Sequence, residues 1–383
     1  IAHTRAGLQR PLVLEAGAAF LVILLAAVLA GSQPAAHEDI VWPWPVRLAP
    51  ETAWMITPYA APQIAAGLAA FALAVGFAAA ALRRHQGRAL AGAGVLAGIS
   101  LATALPAACV PAYATSYAHM PVPYDAATIA AGASLYEANC TACHGRTGHG
   151  DGPASAALNP KPADLTAPHL GYHTHGELFW WIGHGYPGSV MPGFSGRLDP
   201  GRIWSLVAYL MALSQGHQAR VLQSAPVPRD PWLPAIDFPL SAATSLADLR
   251  GAPVVLLFAN AGGAVRSDWL SPVARGLQAA GARLIAIVRP GIVPPGGIAS
   301  VIDSDGTIWR AWSNDRRTLA SPGLTDRDPP PAMMGVLIDR FGFVRARWRS
   351  DEPDDVPDAA ALQTAIDALQ SEPHLADPDA HGN

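Results

Sequence analysis

Cys140, Thr141, Ala142, Cys143 and His144 spell C-x-x-C-H, and a chain that carries this run has to fold around a large, flat group. Two thiols at that spacing can add to the two vinyl groups of one haem, and the adjacent imidazole then reaches its iron. A thioredoxin-type redox pair also uses C-x-x-C. Only three cysteines occur in the chain, however, two of them lie in this run and a histidine follows at once. The pattern therefore predicts one covalent haem c, held by Cys140 and Cys143, with His144 on its iron.

The second axial ligand has to come from the distal side. Met191, within Ser189, Val190, Met191, Pro192, Gly193 and Phe194, is framed by turn formers, and a thioether at the iron raises the potential. A methionine can equally fill a core gap. His169, His173, His175 and His184 are rival ligands in the same segment, within a polar stretch that reads as surface loop. Phe179, Trp180 and Trp181 would give apolar cover to the porphyrin, as ordinary core packing would also explain. The glycines and prolines between residues 145 and 164 suit a chain following a macrocycle without regular structure. They do not make a phosphate cradle, which needs a preceding strand and a following Lys-Ser/Thr.

Gly132 and Tyr136 precede the motif on a predicted helix, and Leu206 and Tyr209 lie on a later one. This arrangement resembles class I cytochromes c, in which a G-x-x-x-aromatic helix crosses a C-terminal L-x-x-Y helix. The resemblance implies an all-α domain over residues 124–215 and places Met191 at the family's Met-Pro ligand position. It also implies that a proline carbonyl, of Pro160 or Pro162, accepts the proximal imidazole's proton.

The rest of the chain is a different kind of sequence. Of its 383 residues 51% are hydrophobic and 14% charged, and the excess is local. Residues 12–31, 62–82 and 89–110 are each about 20 residues of mostly apolar composition, enough to cross a bilayer. They predict a three-helix membrane region over residues 1–123. The first run is too long for a signal peptide, is interrupted by Glu15 and lacks a clear cleavage site, so it reads as an anchor. The chain opens at Ile1 rather than Met, and further sequence is expected upstream.

Arg5 and Arg10 precede the first run, and Arg83, Arg84 and Arg88 fill the turn between the second and third. The positive-inside bias puts both clusters in the cytoplasm. Three crossings then deliver the haem domain to the periplasmic side of a bacterial inner membrane, where c-type haem is attached. Trp42 and Trp44 read as anchors in the headgroup layer.

The stretch from Arg10 through Ala36, beginning Arg-Pro-Leu-Val-Leu-Glu-Ala-Gly, resembles the last helix of the copper-resistance D family. That resemblance covers a small part of such a domain and implies a possible copper partner. Glu15 would be its functional candidate, although pairing with Arg10 explains it as well. His37, Met55, His119 and Met120 suit copper by ligand type, but nothing in their spacing enforces a site. Cys109 reads as a small packed residue at the outer end of the third helix.

Residues 216–234 form a polar linker with prolines. Beyond it, residues 253–258, 282–288 and 334–339 have strand character, with a helical stretch over residues 268–280, and such alternation implies an α/β layer structure. The run from Leu246 to Phe258 and the run from Leu337 to Arg345 resemble the first strand and later hairpin of thioredoxin-like and peroxiredoxin-like domains. The departure matters more. Where that family carries redox cysteines this chain has Asn260 to Arg266, and no thiol occurs anywhere in residues 235–372. The usual cis-proline is displaced, with Met333 near its place and Pro331 two residues earlier. The unit is expected to be redox-inactive, because disulfide exchange needs a thiolate. Residues 373–383 read as a disordered tail.

Together these readings predict a membrane-anchored carrier of single electrons. Its partners would be the lipid bilayer and redox proteins, such as a quinol-oxidising complex, a haem-copper oxidase or another cytochrome. Nucleic acid is not among them. The alternative is a copper-resistance or copper-transport membrane protein fused to a cytochrome. No Ser-His-Asp set, nucleotide loop or carboxylate pair stands out, so the chain is not read as an enzyme on its own but as an electron-transfer protein or a subunit of an oxidoreductase complex.

Overall fold

The computed structural model describes residue 22 and residues 40–50, 52–53, 57, 59–219, 222, 225–226, 233–259, 267–293, 298–313, 333–349 and 356–373. Apart from Val22, the first predicted membrane helix lies outside the described residues, as do Glu15, Arg5, Arg10, His37, Met55, the segment 260–266 and Pro331.

Two long apolar helices, α1 (Ala60–Arg83) and α2 (Gly87–Ala107), pack along each other. Both are long and apolar enough to cross a bilayer. The segments flanking this hairpin meet again at its open end, where β1 (Val46–Leu48) pairs antiparallel with β2 (Cys109–Pro111). The predicted helix to residue 110 is therefore too long. Pro106 lies in the last turn of α2, and a proline there lacks the donor a continuing helix needs. Cys109 consequently sits on β2, opposite Leu48, rather than on a helix. Of the two tryptophans, Trp44 is exposed, whereas Trp42 turns inward onto Tyr117, 4.9 Å between ring centroids.

The helical unit that follows is built from α3 (Ala126–Asn139), the single turn α4 (Thr141–His144), α5 (His175–His184) and α6 (Pro200–Ala219). Its helix starts are encoded locally. The Asp125 side chain caps α3 by accepting from the Thr128 amide at 2.8 Å, and Thr174 with Glu177 forms a reciprocal capping box on α5. Helix α6 runs on to Ala219. At the crossing of α3 and α6 a methyl group on Gly132 would overlap the Ser205 carbonyl. Only glycine lets the backbones approach this closely, and Tyr136 then packs on Tyr209 at 5.1 Å.

A six-stranded sheet forms the third unit, in the order β3 (Leu233–Pro234), β8 (Phe343–Arg349), β7 (Met333–Ile338), β4 (Val254–Ala259), β5 (Arg283–Val288) and β6 (Ala299–Ile302). Strands β4, β5 and β6 run parallel, and β7, β8 and β3 are joined antiparallel. Strand alternation splits β4 between two cores. Val255 and Leu257 face helices α7 (Ser267–Ala279) and α9 (Ala359–Ser371), through Val273, Leu277, Leu362 and Ile366. Val254, Leu256 and Phe258 face the opposite way, into a core continuous with α3, α5 and α6. The short helix α8 (Thr307–Trp312) packs on α3 within that core.

The segment preceding the apolar hairpin is tied to the helical unit by a buried ion pair. Arg47 Nε lies 2.7 Å from Glu177 Oε1, with side-chain exposures of 8% and 2%. Beside it the Thr115 hydroxyl donates to the Gly176 carbonyl at 2.7 Å, and a methyl on Gly176 would overlap the Thr115 carbonyl. Burial alone would raise the Glu177 carboxyl, but His173, Arg47 and the Thr174 amide together hold it below the usual carboxylate range.

Gly132→Ala should lower the melting temperature of the full chain sharply, because overpacking against rigid backbone costs about 1–3 kcal/mol; an unchanged melt would show that the crossing can relax. Arg47→Ala leaves a buried carboxylate unpaired and should cost about 3–5 kcal/mol in urea unfolding, while Arg47→Met with Glu177→Leu should recover most of it. The pH dependence has a definite sign. A carboxyl depressed on folding adds stability that is fully present above its ordinary value near 4.5 and is lost as pH falls through the lower folded value. The wild-type chain should therefore lose stability on acidification below about pH 4.5, and the Met/Leu double variant should lose less.

Candidate functional site

A cavity of about 320 Å³ opens within the helical unit. Its walls bring together Cys140, Cys143, His144 and Met191, with apolar cover from Leu165, Leu170, Ile182, Phe194, Leu206 and Leu210. The motif reaches it because α3 ends at Asn139 and the chain turns once through α4, closing at Gly145, where φ is +75°. Tyr136 fixes that turn by donating its hydroxyl hydrogen to the Gly145 carbonyl at 2.8 Å.

His144 Nδ1 lies 3.0 Å from the Ala163 carbonyl oxygen. The expected proline carbonyl, of Pro160 or Pro162, is not the partner: both prolines line the cavity, but the Pro162 carbonyl faces Gly150 instead. Burial pulls the His144 imidazole below its usual value, against an opposing contribution from Ala163. With Nδ1 donating to the Ala163 carbonyl, Nε2 is the ring nitrogen left for a ligand. Burial, with Cys143 beside it, pushes the Cys140 thiol up to about 12.

Met191 enters the lining from a loop closed by a bridge between Gly185 and Pro192, and its amide donates to Ser189 Oγ at 3.1 Å. Two of the rival histidines, His169 and His173, share the lining; His175 and His184 lie outside it. His169 and His173 thus belong to the cavity wall, His169 while still exposed to solvent. The 3₁₀ turn Pro168–Tyr172, on which His169 lies and which His173 closes, explains this, since Leu170 anchors it in the core. Of the three aromatic residues, Trp181 lines the cavity. Trp180 does not: it stacks on His184 at 3.8 Å and on Tyr113 at 5.5 Å. Phe179 stacks on Trp204 at 4.4 Å. Three consecutive helical residues point in three directions, so one cavity cannot receive them all.

The donor set fits a covalently attached haem. Two thiols without a disulfide, three imidazoles and one thioether share the lining of an apolar cavity, and that wall also holds a buried indole N–H, Trp181 Nε1, with no hydrogen-bond partner among the described residues. A buried donor of this kind calls for an acceptor from a bound group. Among the described residues no group of three or more His, Cys, Asp or Glu could hold a metal ion; Met120 packs into the core instead of facing one. Sequence reading missed Ala163, Arg47 and the buried role of Glu177. The Thr174-x-x-Glu177 capping pattern was the available signal for the last.

Residues 127–210 match the family described as cytochrome C oxidase, cbb3-type, subunit III. Comparison with curated proteins gave no match. Among solved structures, the chain is similar to a component of the reducing HAO-like protein complex of Kuenenia stuttgartiensis, at 26% identity over 31% of this chain and 58% of that one, with a TM-score of 0.22. It thus spans little more than half the length of that relative. A protein from Chlorobium tepidum described as a thiol:disulfide interchange protein DsbE matches at 22% identity over 37% of this chain and 97% of that one, TM-score 0.26. The bacterioferritin comigratory protein of Xanthomonas campestris matches at 17% identity over 38% and 98%, TM-score 0.24. At such scores the superpositions add nothing to the strand order described above. The helical unit between residues 127 and 210 is a c-type cytochrome domain.

Proposed function

We propose that this chain is a membrane-anchored electron carrier with one haem c. Cys140 and Cys143 would hold the haem covalently, and His144 and Met191 would ligate its iron. The observation that carries this reading is the convergence of C-x-x-C-H and Met191 on one apolar cavity. When bound there, the haem supplies a one-electron couple.

The protein's own residues set the terms of that couple. Ala163 would hold the His144 ring in the tautomer that leaves Nε2 for the iron, and Met191 would supply a thioether ligand in competition with any substrate. Leu206, Leu210, Ile182 and Phe194 exclude water, which keeps the potential high. On this reading the membrane region extends to about residue 123, the cytochrome domain covers 124–215, the linker reaches residue 234 and the sheet unit ends near residue 372. The cytochrome and sheet units lie in the periplasm of a bacterial cell. Their redox partners are a membrane donor and a terminal or intermediate acceptor. The pairing of β1 with β2 supports one orientation: the segments before α1 and after α2 leave the bilayer on the same side, with the Arg83 to Arg88 turn on the other.

Haem staining after denaturing electrophoresis should follow the polypeptide and disappear when both Cys140 and Cys143 are replaced by Ala. Met191→Ala should abolish the far-red thioether-to-iron absorption band while leaving the stain; a surviving band would assign the ligand to another residue, with His169 or His173 next in position. For topology, alkaline phosphatase fused after Leu213 should be active and the same reporter at Arg84 inactive. The reverse pattern would overturn the orientation.

A further inference from the structure

A second cavity, of about 260 Å³, lies against the first at the seam between the anchor and the cytochrome domain. His169, His173, Trp181 and Tyr186 line both cavities, so a single layer of side chains separates them. On its other side the second cavity is walled by Thr52, Val110 and Pro111. Val110 is three residues beyond the end of α2, which puts that wall within about 10 Å of the membrane-crossing helix at extended-chain spacing.

The polar groups in this seam are arranged as an acceptor site. Glu177, buried and neutralised by Arg47 at 2.7 Å, has its other carboxylate oxygen 3.5 Å from His173 Nδ1. A histidine whose Nδ1–H is turned to a carboxylate presents the Nε2 lone pair as acceptor. His173 is edge-on to Trp181, 4.7 Å between ring centroids, and Tyr113 and Tyr172 complete aromatic walls of a size for one substituted ring. A ligand matching these features is flat, reaches the site from the bilayer, donates a hydroxyl hydrogen to an imidazole and can lose electrons across one side-chain layer.

We propose that the second cavity binds the head ring of a membrane hydroquinone and delivers its electrons to the haem in the first, so that the chain draws on the lipid-soluble pool directly. This rests on reading the first cavity as the haem site. The oxidation balances as two electrons and two protons per ring. Both O–H bonds break; one proton leaves through His173 and the other passes to solvent, and the hydroquinone becomes a quinone. The electrons would leave the ring one at a time, since a haem in the first cavity would supply a one-electron couple and a downstream one-electron acceptor would take each in turn.

The test uses the full haem-loaded chain in lipid nanodiscs, with decylubiquinol as reductant and ascorbate as a reductant that needs no ring site. Binding of decylubiquinone is followed separately by quenching of tryptophan fluorescence. The proposal expects saturable quenching, and a ratio of quinol to ascorbate reduction rates that falls tenfold or more in His173→Gln and in Thr52→Leu, which narrows the membrane end. Each variant's haem spectrum reports its fold. If ascorbate reduces the haem and decylubiquinol does not, or if both variants leave the ratio within twofold of wild type, the hydroquinone site is refuted and the carrier reading stands. If no haem is attached at all, the reading of the first cavity falls and takes this one with it.

Discussion

The backbone contact between Gly132 and Ser205 is the constraint on which the cytochrome domain hangs. Because no side chain intervenes, α3 and α6 cross close enough for Tyr136 to pack on Tyr209, and the Tyr136 hydroxyl then reaches the Gly145 carbonyl at the end of the motif. The orientation of α4, and with it the direction in which Cys140, Cys143 and His144 face, is therefore set by a helix crossing away from the reactive groups. A motif of five residues cannot aim itself; a turn this short has no stable direction of its own.

The same helix also supports the neighbouring unit. A sheet of mixed strands needs cover on both faces, and here α7 and α9 cover one while the other is closed by α8 together with helices of the cytochrome domain. Phe258 packs against Trp309 and Trp312, both at 5.7 Å, within the shared core. A main-chain bond from Ala126 to the Asp237 carbonyl, at 2.8 Å, fastens the start of α3 to the sheet unit as well. Rather than two beads on a linker, the cytochrome and sheet units share apolar area that neither could leave exposed without cost.

What could be read in advance was what local sequence determines. The motif, the pair Gly132 and Tyr136 with Tyr209, the apolar stretches that became α1 and α2, and the strands β4, β5 and β7 all announce themselves through spacing or periodicity, and the structure places them within a few residues of expectation. What escaped depends on contacts between distant segments. Arg47 and Glu177 are 130 positions apart, and nothing near either names its partner. Trp180 and Trp181 look equivalent in sequence, yet one helical step of about 100° separates them and turns the first toward Tyr113. His169 and His173 read as loop residues until Leu170 is seen to anchor their turn in the core.

The sheet unit gains its meaning from this packing. A thioredoxin-like module that exchanges disulfides needs a nucleophilic thiol and freedom to present it to changing partners. This chain has no cysteine after Cys143, and one face of its sheet is sealed against the cytochrome domain. Thiol exchange has no residue to act through here, and the buried sheet face fits a unit kept as a brace. A brace is useful where the proposed function most needs it. Electron transfer favours a cofactor whose surroundings barely reorganise, and α3, which carries the attachment motif at its C-terminal end, is clamped by α6 and by α8. With the Arg47 and Glu177 pair fastening α5 to the strand that precedes the apolar hairpin, the cavity is held to both neighbouring segments by packed side chains and not by a flexible tether.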